Sequence, residues 1–151
     1  MSDRRRNRAR GWALQAMYAW EMRQAAPEAL VGILRDLGEQ LRVSPENRFY
    51  ADVLVRLVAQ HLPEIDRLIE EHLSNWRLAR LAVVDRNLLR LGVAEMLYLD
   101  DVSAADTIRE MMFLAGRYGT PESPRFVNGV LDAVMQAVAT TRALQRGGRP
   151  R

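Results

Sequence analysis

An all-α fold follows from three features of this 151-residue chain. Apolar residues recur at three- and four-residue intervals along most of its length, strict alternation is nowhere sustained, and helix-start signals return at short intervals. About seven helices joined by short loops are therefore expected. At 48% hydrophobic, the chain is long enough for one domain with a real core and too short for two large ones.

Each helix has its own justification. The first spans about Arg4 to Gln24, with Ala9, Trp12, Ala13, Ala16, Met17 and Trp20 on one apolar stripe; Tyr18 and Trp76 are also expected in the core. Pro27, tolerated in a first turn, opens a second helix with Leu30, Ile33, Leu34, Leu37 and Leu41 inward. Ser44-Pro45 reads as an N-cap followed by proline at the first helical position, starting a third helix with Phe49, Val53, Leu57 and also Tyr50 inward. Pro63 is expected to restart the chain, giving a fourth helix marked by Ile65, Leu68, Ile69 and Leu73. The fifth runs from about Val83 to Leu99. Ser103, with Asp106 three residues on, resembles a capping box and opens a sixth that ends near Tyr118. After the breaking loop Gly119 to Pro124, Ser123 is expected to cap a seventh helix carrying Phe126, Val127, Val130, Leu131, Val134 and Val138. Residues 145–151 read as a disordered basic tail, leaving 1–144 as a single helical domain with a division near Ser74 to Arg80.

Reactive chemistry is hard to find in this sequence. It has no cysteine, which excludes disulfides, thiolate catalysis and Cys-based metal sites. His61 and His72 do not form a metal-binding pair, and neither a glycine-rich phosphate loop nor a GxSxG serine is present. Glu70-Glu71 and Asp100-Asp101 are adjacent pairs, and neighbours on a helix diverge too far to share a catalytic site. No enzyme, cofactor or metal is expected. No apolar run approaches a membrane span and no secretory signal opens the chain, so a protein without a membrane partner, in the cytoplasm, is expected.

Charge is distributed unevenly. Residues 1–10 carry five arginines and one acid, residues 142–151 four arginines and none, and residues 11–141 thirteen arginines against eighteen acids. A formal charge of +3 thus conceals an acidic body with two basic ends, which points to a polyanion partner. All twenty-two basic residues are arginine. On the fifth helix, Glu95 falls on the face shared by Val84, Leu88, Leu91 and Leu99, and a carboxylate there must find a partner. Arg86 and Arg90, with Asn87, fall on the opposite, polar side, open to a partner. The string Arg125-Phe-Val-Asn-Gly-Val-Leu-Asp132 places Asn128-Gly129 inside an unbroken helical period. Glycine costs about 1 kcal/mol there relative to alanine, which suggests a close helix–helix approach.

Four ordered blocks carry a family resemblance: Arg4-Arg-Arg-Asn-Arg-Ala-Arg10 leading into Leu14-Gln-Ala-Met-Tyr-Ala-Trp-Glu21, Asn75 to Arg86, Leu88 to Glu95, and Phe126-Val-Asn-Gly-Val-Leu-Asp132. From about Arg4 to Val138 the chain resembles the transcription antitermination factor NusB family. Ile108-Arg-Glu-Met-Met112 and Asn87 depart from the family pattern, and residues 24–64 match it only in periodicity. The resemblance implies two three-helix bundles, about 4–75 and 80–142, and a factor that binds boxA RNA together with the small-subunit ribosomal protein NusE. It also implies work with other Nus factors and RNA polymerase, helping the polymerase resist termination, notably in ribosomal RNA operons. Carried onto this chain, Arg4, Arg5, Arg6, Arg8, Arg10, Arg125 and Phe126 would contact RNA, with Phe126 able to stack on a base. Asp85 and Arg86 would meet NusE, while Glu95, Asn128 and Gly129 would be structural. Homodimer formation stays open. So do two other readings: a NusB-like domain of the kind fused to RNA methyltransferases, and a helical interaction protein whose basic ends are incidental.

Overall fold

The computed structural model describes residues 2–75 and 77–147. Trp76, Arg149 and Arg151 lie outside them. Six α-helices account for nearly all of the described chain, which holds no strand: α1 (Asp3–Met22), α2 (Leu30–Gln40), α3 (Pro45–Glu70), α4 (Val83–Tyr98), α5 (Ala104–Tyr118) and α6 (Ser123–Gly147). Short 3-10 turns at Pro27–Ala29 and Leu78–Arg80 precede α2 and α4.

Local chemistry starts most of these helices where expected. The hydroxyls of Ser2, Ser44 and Ser103 accept hydrogen bonds from the backbone N–H three residues on, at 3.3, 3.3 and 3.1 Å, satisfying donors that the first turn leaves open. Ser123 departs from expectation. It lies within α6, and its Oγ accepts from Thr120 N at 3.0 Å, so it ties down the preceding turn instead of capping the helix.

The helix count differs from expectation because Pro63 bends the chain without ending the helix. Proline removes one backbone donor and crowds the carbonyl four residues back, and the chain absorbs this at His61 (φ −116°, ψ 19°). The expected third and fourth helices are thus one kinked helix. Its inward face also has a different phase. Tyr50 is buried as expected, together with Ala51, Leu54, Val55 and Val58, whereas Val53 and Leu57 are half-buried and Phe49 points outward. Leu41 and Tyr18 are likewise exposed. At the C-terminus, α6 continues to Gly147, beyond the point where the tail was expected to begin.

The first three helices pack on one another, and so do the last three. α4 joins the two sets by touching α1, α3, α5 and α6. Every residue of α4 from Asn87 to Glu95 is buried. It packs tightly on α6 at Gly92, where a Cβ would stand 2.7 Å from a Leu131 methyl. At Gly129, where the sequence suggested such an approach, the surrounding space is open. The core face of α6 is Val127, Val130, Leu131 and Val134, and Asn128 and Gly129 are turned away from it.

Candidate nucleic-acid interface

Helix α1 presents its arginines on two different sides. Arg10 is 2% exposed and donates from Nε and Nη2 to the two oxygens of Glu95, at 2.8 and 2.6 Å. Tyr50 OH at 2.8 Å and Thr107 Oγ1 at 2.5 Å also donate to Glu95, which is fully buried. The carboxylate expected to need a partner therefore has three, from α1, α3 and α5. Burial alone would lower the Arg10 pKa, but the hydrogen bond and charge of Glu95 outweigh it and the value is raised. Burial, reinforced by Glu95, pushes the Tyr50 hydroxyl well above its ordinary value. Arg10 was expected to contact RNA, and this pairing corrects that expectation: its guanidinium holds the core together.

Arg6 is also engaged. It donates to Asp101 at 2.8 Å and lies over the Tyr50 ring, 5.8 Å from its centroid. Arg4, Arg5 and Arg8 are different. All three are exposed and pair with no carboxylate among the described residues. These three are the arginines of the first ten residues that can meet an external anion.

Around them the surface is concave. A groove of about 710 Å³ runs between α1 and α5, with Arg4, Arg8, Trp12, Phe113, Arg117 and Tyr118 along its walls and Glu110 as its one acid. A smaller hollow of about 270 Å³ adjoins it, where Arg4, Arg5, Arg8 and Trp12 meet Asn47 at the start of α3. Exposed guanidinium groups interleaved with aromatic faces suit a nucleic-acid strand, whose phosphates and bases they match respectively.

Trp12 packs against the core as expected and also lines the groove, whereas Phe113, Arg117, Tyr118 and Asn47 were not singled out by the sequence. One signal was available. The buried stripe of α5 is Thr107, Ile108, Met111, Leu114 and Ala115, and Phe113 is a large apolar residue out of phase with it. Arg125 is exposed and Phe126 is half-buried against the core, and neither lines the groove or the hollow.

The expected partner contacts also change. Arg86 donates from Nε to Glu21 at 2.8 Å, and from Nη1 to the carbonyls of Leu78 and Leu81 at 3.1 and 2.8 Å. It stitches the turn before α4 to the end of α1 and is not open to a partner. Arg90 is buried between Glu21 and Asp66, and Asn87 donates nothing outward because it is fully buried. The side of α4 that looked polar is interior because α4 is covered all round. Burial alone would raise the Glu21 pKa, but Arg86 and Arg90 hold it below the usual carboxylate value. Asp85 is half-buried in the first turn of α4.

No helix among the described residues is long and apolar enough to cross a membrane. The sequence profile of the NusB family matches residues 7–136. Transcription antitermination protein NusB of Myxococcus xanthus is 42% identical over 139 residues, covering 91% of this chain and 98% of that protein. Among solved structures, T. maritima NusB superposes with a TM-score of 0.80 at 37% identity, over 87% of this chain and 90% of its own. A crystal structure of antitermination factors NusB and NusE in complex with dsRNA matches at TM-score 0.79 and 34% identity, over 90% of this chain and 99% of the matched chain.

Proposed function

This chain belongs to the NusB family, and we propose that it is a transcription antitermination factor that binds boxA RNA together with NusE. In that role it joins other Nus factors on RNA polymerase in the cytoplasm, helps the polymerase resist termination, notably in ribosomal RNA operons, and has no catalytic step of its own. The observation that carries the RNA reading is the exposed set Arg4, Arg5 and Arg8 at the rim of two adjoining hollows. Their guanidinium groups hold phosphates, and each phosphate neutralised makes binding more sensitive to salt. Arg125, exposed at the start of α6, supplies a further cation, and the terminal arginines add attraction without sequence preference. NusE meets the opposite end of α1. There Tyr18 and Met22 are about half exposed, and the tie from Glu21 to Arg86 holds them at the end of α4 that carries Asp85.

The experiment is fluorescence anisotropy of a short boxA RNA, with and without NusE, beside a scrambled RNA of equal length. Tighter boxA binding that improves with NusE supports the reading. Equal weak binding to both RNAs, indifferent to NusE, leaves a helical interaction protein with basic ends.

A further inference from the structure

Phe113 poses a question that the arginines do not answer. It is 62% exposed, in the middle of a well-formed helix, with a core stripe alongside that it does not join. Lining a basic groove together with Trp12 and Tyr118, this aromatic offers a face to an occupant. The groove is built from two matched helical stripes. Arg4, Arg8, Trp12 and Gln15 of α1 face Glu110, Phe113 and Arg117 of α5, each set at three- and four-residue spacing, with Tyr118 next to Arg117 at the helix end. Gly11 and Leu114 lie between these stripes and line the groove as well. The Arg117 guanidinium lies over the Tyr118 ring, 5.3 Å from its centroid.

Building on the RNA-binding reading, we propose that this groove takes an unpaired base of the bound RNA, stacked on Phe113, with Arg4, Arg8 and Arg117 holding the flanking phosphates. Charge selects this occupant. Three arginines against one acid suit a polyanion, and they would oppose the apolar face of a partner helix. Single-strandedness follows from the ring itself. In an RNA duplex the base faces are stacked on one another and unavailable, whereas an unpaired base offers its face to an aromatic side chain. The groove would therefore distinguish strand from duplex, which arginines alone do poorly.

The test compares labelled single-stranded boxA RNA with the same RNA annealed to its complement, by anisotropy over a range of salt. Phe113→Ala should weaken strand binding by about tenfold, the size of one lost base stack, while duplex binding changes by less than about twofold. The slope against salt should not move, because no phosphate contact is removed. Phe113→Trp should restore strand affinity, and since the side chain is exposed, both variants should melt like the parent. If the parent binds strand RNA and Phe113→Ala binds it equally well, the stacking site is wrong and the antitermination reading stands. Equal losses on strand and duplex would also overturn stacking. A parent that binds neither RNA removes both proposals.

Discussion

Arg8 and Arg10 are two residues apart on one helix and have opposite fates. Arg10 is sealed inside, bridging α1 to α4 through Glu95. Arg8 is on the surface and pairs with no carboxylate among the described residues. The glycines divide in the same way: Gly92 is pressed against Leu131, and Gly129 faces open space. In both cases the residue type tells little, and the side of the helix it occupies decides whether it serves the fold or a partner.

The sharpest way to break this contrast is Glu95→Ala. Removing one partner of a buried ion pair strands the other charge, which costs about 3–5 kcal/mol. Thermal melting should fall steeply while the RNA contacts themselves remain. An unchanged melting temperature would mean that Arg10 is not committed to the core. Next in size is Gly92→Ala. A methyl forced against buried Leu131 should cost about 1–3 kcal/mol in a urea titration.

The exposed side is tested by Arg4→Ala/Arg8→Ala. Stability should be nearly unaffected, and the slope of log affinity against log salt for single-stranded RNA should shrink by about 1.4 for two lost contacts. Acid sharpens the comparison at the other end of α1. Because Glu21 has a lowered folded-state pKa, its contribution to stability is complete above the unfolded value of 4.5 and is lost as pH falls through the lower folded one. Glu21→Gln should flatten that part of the stability profile. The smallest change expected is Gly129→Ala, which should stabilise by up to about 1 kcal/mol, since an exposed helical glycine gains from a methyl that meets nothing.

Much of this was legible beforehand. Helix starts at Ser44 and Ser103 depend on local hydrogen bonds, which a few adjacent residues determine. Glu95 was recognisable because an acid on an apolar stripe must be satisfied. Its partners were not, since Arg10, Tyr50 and Thr107 lie 85, 45 and 12 residues away in sequence and only tertiary packing unites them. Arg86 and Arg90 were misplaced for a related reason. A polar stripe on a helix normally faces water, and here it faces Glu21 and Asp66, so polarity concealed burial. The groove escaped notice because its walls come from helices separated by about ninety residues, and Phe113 alone announced it.

The enclosure of α4 also has a kinetic meaning. A helix flanked by four others cannot fray into solvent one turn at a time; its central amides exchange with heavy water only when the surrounding helices separate. Amides from Leu89 to Ala94 should therefore exchange at the rate of global opening, while those at the arginine-bearing start of α1 exchange through local fluctuation. The slowest clock in the molecule would then be set by the buried middle of α4, and it would limit how long the surface built upon it persists.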